Sequence, residues 1–237
     1  MSSATPSCAH LPLITLVLGG ARSGKSRYAE RLVEQAAASG TYCATAEPGD
    51  NEMAARIAAH RARRREAGRG SFWRTVEAPL ALAAAIAAEA TPSRPLLIDC
   101  LTLWLSNLLL AGKCIEAETG TLVAALREAA GPVVLVANEV GLGLVPETPL
   151  GRRFRDEAGR LNQEIAGLAD RVVFIAAGLP LILKEPAKSP SPPFRGESEG
   201  PAAKPWEGEV GAGSRSGIPH LTPTLSAPEG GEGETGS

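Results

Sequence analysis

Apolar residues along this chain fall into short runs, separated by longer segments in which they recur at three- and four-residue spacing. The runs "ITLVLG", "TYCATA", "FWRTVE", "PLLIDC", "PVVLVANE" and "RVVFIAAG" are mostly β-branched or apolar and end in turn or polar residues, which predicts strands. Between them, "KSRYAERLVEQAAASG" sets Tyr28, Leu32, Val33 and Ala36 on one helical face and predicts a helix closed by Gly40 as its C-cap. "DNEMAARIAAHRARRREAG" opens on the capping residues Asp50 and Asn51 and stops near Gly68, a second helix. "PLALAAAIAAEA", "LTLWLSNLLLAG" and "GRRFRDEAGRLNQEIAGLAD" read as further helices. The alternation from Thr15 to about Lys184 predicts an α/β fold, a mostly parallel sheet with helices on both faces.

Composition limits this pattern to one part of the chain. With 237 residues, 44% of them hydrophobic, there is enough apolar surface for one well-buried domain. After Lys184 the sequence turns to Pro, Gly, Ser and Glu with few aliphatic residues, so it cannot bury enough surface to offset its ordering entropy. The expected organisation is a loose extension over residues 1–11, a domain over 12–184 and a disordered tail over 185–237. A Pro-rich docking role for the tail lacks a PxxP repeat with basic flanks.

A net charge of −2 argues against a dedicated nucleic-acid protein. The apolar run from Leu11 to Leu18 is too short to span a bilayer and has neither a basic leader nor a cleavage site, so a cytoplasmic protein is expected. Cys8, Cys43, Cys100 and Cys114 show no CxxC spacing and read as reduced thiols.

The candidate chemistry begins at "GGARSGKS". Gly19, Gly24, Lys25 and Ser26 fill the fixed places of GxxxxGK[ST], after an apolar strand and before an amphipathic helix. In such a loop, glycines let successive N–H groups and the helix N-terminus face phosphate oxygens. Lys25 would meet the β and γ phosphates, and Ser26 would offer its hydroxyl to Mg²⁺. A second acidic element is expected at the end of a neighbouring strand, where "PLLIDC" supplies Asp99. Asp99 could equally cap the helix that follows.

Of three histidines, His10 and His220 fall in the expected flexible segments, leaving His60. Arg56 and Arg64 stand four residues to either side of it and share its helix face. A neutral imidazole among guanidinium groups suits nucleophilic attack on an anionic phosphorus centre. The same spacing also fits a solvated basic helix or, with Phe72 and Trp73 nearby, a nucleic-acid patch.

The motifs "GGARSGKS", "ATAEPGDNEMAARIAAHRARR", "WRTVEAP", "LLIDCLTLWLSNLL", "VLVANEVGLGLVPETPLGRRFRDEAGRLNQ" and "VVFIAAGLPL" occur in order from Thr15 to about Lys184. Together they resemble the bifunctional adenosylcobinamide kinase and adenosylcobinamide-phosphate guanylyltransferase family of cobalamin biosynthesis. The resemblance implies a P-loop NTPase fold, a homotrimer, GTP and ATP as substrates, and two reactions. One passes a γ-phosphoryl group to the aminopropanol hydroxyl of adenosylcobinamide. The other forms a GMP-histidine and hands its nucleotide to adenosylcobinamide phosphate, giving adenosylcobinamide-GDP.

Carried over by position, His60 is the guanylylated residue. Gly19, Gly20, Ala21, Arg22, Ser23, Gly24, Lys25 and Ser26 hold the triphosphate, and Thr45, Ala46 and Glu47 follow the second strand where the family meets nucleotide. Arg61, Ala62, Arg63 and Arg64 follow the histidine. Glu77 and Asp99 match acidic positions, with Ser26 and Asp99 toward Mg²⁺. The alternatives without a covalent adduct are a P-loop small-molecule kinase of another pathway and a nucleotide-binding regulatory module.

Overall fold

A computed structural model describes residues 11–46, 62 and 71–186. Contacts divide the chain into Met1–Ser189 and Pro190–Ser237, and the described residues all belong to the first unit. Its frame is a seven-stranded sheet of β1 (Ile14–Gly19), β2 (Gly40–Ala44), β3 (Trp73–Glu77), β4 (Leu96–Asp99), β5 (Val133–Asn138), β6 (Arg171–Ala176) and β7 (Leu179–Lys184). Around it lie α1 (Lys25–Ala36), α2 (Leu82–Glu89), α3 (Leu101–Leu110), α4 (Ile115–Arg127) and α5 (Pro149–Leu168). The strand order is β3-β2-β4-β5-β1-β6-β7, parallel throughout except for β7.

Every residue of β1 is buried, and β4 and β5 are buried up to their last residue. That is why these strands read as continuous apolar runs: helices cover both faces. Ile14, Leu16 and Leu18 face one layer with Leu96, Ile98, Val133 and Leu135, against α2, α3, α4 and α5. Val17, Leu97, Val134 and Val136 face the other with Ala29 and Val33 of α1. All the parallel strands therefore end at one edge, where Gly19, Ala44, Glu77, Asp99 and Asn138 stand. In sheets of this kind ligands bind at that carboxyl edge.

Four features differ from the sequence-based expectation. The first helix stops at Ala36, and Gly40 is the first residue of β2, not a cap. A Cβ on Gly40 would lie 2.8 Å from the Trp73 ring and 2.9 Å from Val33, so packing between α1 and β3 demands a glycine there. Helix α4 was not expected: Gly120 sits in its middle, although Ile115, Thr119, Leu122 and Leu126 form its buried stripe. Strand β7 was also not expected. Ala177 (φ 51°) and Gly178 (φ 81°) make a two-residue turn of the hairpin-forming kind, and the strand beyond has no alternation because all its residues are exposed.

Finally, β4 does not neighbour β1. Strand β5 lies between them, so Asp99 stands two strands, ~10 Å, from the end of β1. The expected helix over residues 50–68 lies outside the described residues, save Ala62, which is helical and exposed. The expected tail beyond residue 186 and the extension over residues 1–10 also lie outside them.

Candidate active site

The cradle forms because β1 must turn sharply into α1. Gly24 precedes the helix at φ 100° and no side chain caps it, so the first N–H groups of α1 remain available to a ligand. Gly19 cannot be replaced without cost: its φ is +153°, and an added Cβ would sit 2.5 Å from the Ile175 carbonyl oxygen and 2.8 Å from Ser23 Oγ. The loop between is tied to itself and to the β6–β7 turn, Ser23 N donating to Gly20 O (3.3 Å) and Gly178 N donating to Ser23 O (2.9 Å). Arg22 bends through φ 56° and is exposed, as is Ala21. Ser23 Oγ is buried and has no hydrogen-bond partner in the structure, a polar atom turned into the loop.

Lys25 is 7% exposed and donates from Nζ to Gly20 O at 2.8 Å. Burial lowers its pKa from the usual lysine value, and the nearby charge of Asp99 counters that shift. A desolvated ammonium that spends one N–H on its own loop keeps two for an anion. Ser26, half-buried, stands one residue on in the first turn of α1.

Asp99 is held from the side. Tyr42, buried in β2, donates its hydroxyl to Asp99 Oδ2 at 2.8 Å, and the other carboxylate oxygen takes no hydrogen bond from the described residues. Asp99 is not the cap of α3; Cys100 stands at that position and makes no side-chain cap. The Cys100 thiol is fully buried, which with the Asp99 charge pushes its pKa up to about 11 and keeps it neutral.

Thr45 Oγ1 accepts from Cys100 N and donates to Cys100 O, both at 2.8 Å, fastening the ends of β2 and β4 together. Its side chain is therefore committed within the protein. Asn107 Nδ2 completes the fastening, donating to Thr45 O (2.8 Å) and Pro79 O (3.0 Å).

The carboxyl edge thus brings together Gly19 through Ser26, Thr45, half-buried Ala46 and Asp99. Glu77 ends β3, two strands beyond Asp99 in register through Ala44, beside an open groove of about 390 Å³ lined by Val76, Pro79, Leu80 and Ala84. Glu47, His60, Arg61, Arg63 and Arg64 lie outside the described residues. Sequence reasoning missed Tyr42, hidden in an apolar strand. It also missed Asn107, though a polar residue inside "LTLWLSNLLL" was a usable signal.

A Mg²⁺ ion needs oxygen donors and tolerates one or two carboxylates when phosphates supply the rest. The Ser26 hydroxyl and Asp99 carboxylate are such donors, and no group of three or more His, Cys, Asp or Glu among the described residues competes for a metal.

Comparison with known proteins decides between a generic phosphate cradle and a specific enzyme. The family described as cobinamide kinase / cobinamide phosphate guanyltransferase matches residues 15–183. The chain belongs to that family. It is a bifunctional enzyme of cobalamin biosynthesis, with a kinase and a guanylyltransferase activity, and it uses nucleotides.

A bifunctional adenosylcobalamin biosynthesis protein CobP of Pseudomonas aeruginosa is 53% identical over 171 residues, covering 71% of this chain and 96% of that protein. The bifunctional adenosylcobalamin biosynthesis protein CobU of Escherichia coli is 41% identical over 187 residues, covering 73% of this chain and all of that protein. Among solved structures, the ATPase domain of G40P superposes with a TM-score of 0.41 at 15% identity over 69% of each chain, too loosely to carry an argument. The α/β P-loop reading therefore stands on the parallel sheet and the cradle at the end of β1. No helix among the described residues is long and apolar enough to cross a membrane.

Proposed function

We propose that both reactions run at the carboxyl edge, on adenosylcobinamide and then on its phosphate. In the first, the aminopropanol hydroxyl oxygen attacks the γ-phosphorus of ATP or GTP. The bond to the β,γ-bridging oxygen breaks, the nucleoside diphosphate leaves and the hydroxyl proton passes to solvent. In the second, an imidazole nitrogen of His60 attacks the α-phosphorus of GTP and pyrophosphate leaves, giving a phosphoramidate. A phosphate oxygen of adenosylcobinamide phosphate then displaces the imidazole and yields adenosylcobinamide-GDP. Splitting nucleotidyl transfer this way gives each displacement a good leaving group.

The cradle carries this reading. The backbone from Gly19 through Gly24 and the N-terminus of α1 bind and orient the triphosphate, and Lys25 neutralises charge that builds on the transferring group. Ser26 and Asp99 would hold Mg²⁺, which would supply further neutralisation of phosphate charge.

Tyr42 orients Asp99, the Thr45 hydroxyl fastens the neighbouring Cys100, and Thr45, Ala46 and Glu47 follow the nucleotide beyond the end of β2. Glu77 suits the guanine base, whose edge offers two adjacent N–H donors to a carboxylate. Arg61, Ala62, Arg63 and Arg64 form the segment after His60 in which the arginines clamp phosphates. The catalytic domain is residues 12–184, acting in the cytoplasm without residues 1–11 or the tail over 185–237.

Assembly as a homotrimer is part of the same proposal. It is supported by β7, an edge strand with Leu179, Leu181, Ile182 and Leu183 each more than half exposed. An apolar edge of that kind is rarely left open to solvent.

The whole reading is tested by incubating the protein with adenosylcobinamide, ATP and GTP and analysing products by mass. Adenosylcobinamide-GDP is expected. Phosphorylated corrinoid alone would leave only a kinase.

A further inference from the structure

The segment that joins β5 to α5, residues 139–148, carries the least expected surface at the carboxyl edge. Leu142 is 81% exposed, Leu144 96%, Val145 63% and, in the first turn of α5, Leu150 56%. Scattered exposed aliphatics are ordinary, but four within nine residues, on one loop and the helical turn that follows it, are not.

The loop is also held in position. At its start, Glu139 N donates to Gly19 O at 3.0 Å, and Asn138 N donates to Thr102 Oγ1 at 2.7 Å. Gly141 N then donates to Glu139 Oε1 at 2.7 Å, and Val140 packs on the core. At its end, Arg152 donates to the carbonyls of Pro146 (3.2 Å) and Glu147 (2.7 Å), while Thr148 Oγ1 accepts from Gly151 N at 3.1 Å. Both ends are fastened by hydrogen bonds, and the aliphatic side chains of the middle are presented outward.

We propose that Leu142, Leu144, Val145 and Leu150 form the platform on which the corrin macrocycle of the acceptor rests, an inference that depends on the function proposed above. The argument is one of position. The acceptor hydroxyl has to come within about 3.5 Å of the γ-phosphorus. The γ-phosphate belongs over the cradle, so the macrocycle must lie beside it.

On the β6 side of β1 the cradle is closed by the turn at Ala177 and Gly178, whose N–H is bonded to Ser23 O. On the β5 side, the next backbone after the first cradle glycine is this loop, joined to Gly19 itself. A large ring bearing methyl groups and amide arms gains binding energy chiefly from apolar area, and aliphatic side chains next to the phosphate site supply it.

The test pairs the Leu142→Ser, Leu144→Ser double variant with the full-length protein. Both residues are exposed, so folding is preserved. Cobinamide absorbs visible light, and its binding is read by equilibrium dialysis, alongside ATP affinity, kinase kinetics and mass by light scattering. The expected result is an increase of about tenfold or more in the cobinamide Kd and KM, equivalent to ~1.4 kcal/mol, with ATP affinity and oligomer mass unchanged.

Unchanged cobinamide binding would overturn the proposal, and a fall in oligomer mass would assign the patch to a second copy of the chain instead. Failure of the unaltered protein to bind cobinamide would overturn the proposed function along with it. Formation of the GMP adduct needs no corrinoid and keeps the two failures distinguishable.

Discussion

The phosphate cradle and the loop over residues 139–148 spring from neighbouring strands whose last residues, Gly19 and Asn138, are paired in register. From there they diverge. The cradle bonds its backbone to itself and buries a lysine that donates to Gly20 O. The loop fastens its two ends and turns aliphatic side chains outward. A phosphate is recognised by fixed N–H dipoles and a cation, which must be set before it arrives. A macrocycle is recognised by area. On the function and platform proposed above, donor and acceptor of one transfer reaction are read by opposite chemistry on adjacent backbone.

The sharpest way to break the contrast is Lys25→Met. It should lower γ-phosphoryl transfer by about 10²–10³-fold while cobinamide binding persists. Its effect on stability has the opposite sign. Because burial holds the lysine pKa below its unfolded value, the folded chain binds fewer protons there than the unfolded chain. That residue's contribution to stability rises with pH toward 10.5 and weakens as pH falls through the folded pKa. Met removes the buried cation, so thermal unfolding without nucleotide should occur at the same temperature or higher and lose this pH slope. A lower midpoint would show that the Lys25 bond to Gly20 matters more than its desolvation.

A smaller effect separates two adjacent glycines. Gly19→Ala should destabilise by roughly 2–4 kcal/mol, as expected of a backbone clash at a special φ. Gly20→Ala meets no atom within 4 Å and should unfold within about 0.5 kcal/mol of the parent in urea. Equal losses in both would mean that the cradle relaxes freely.

The mildest change is Tyr42→Phe, which removes the hydroxyl held to Asp99 and should cost about 1 kcal/mol. It should weaken Mn²⁺ binding to the nucleotide complex, read by electron paramagnetic resonance, and leave cobinamide affinity alone. Unchanged Mn²⁺ affinity would separate Asp99 from the metal.

Much of this was legible because the central strands are buried on both faces and must be apolar throughout, while the GxxxxGK[ST] spacing is dictated by loop geometry. What escaped has physical causes. Strand β7 carries aliphatics on both faces and a proline, so neither alternation nor composition marks it. Gly120 disguised α4, and Gly40 looked like a helix end when a tryptophan ring demanded it. Strand order is a long-range property, so Asp99 could be set at a strand end but not two strands from the cradle. Sequence shows position and not partners, so the bonds between the Thr45 hydroxyl and Cys100 were not legible in it.

The central claim is a covalent intermediate at His60, and one measurement addresses it directly. The protein is incubated with Mg²⁺ and α-labelled GTP, denatured, and assayed for bound label beside the His60→Ala variant. Acid-labile, alkali-stable label on the parent alone is the expected result, the signature of a phosphoramidate. No label on a folded, GTP-binding parent, or equal label on both proteins, would contradict the account and remove His60 from the chemistry.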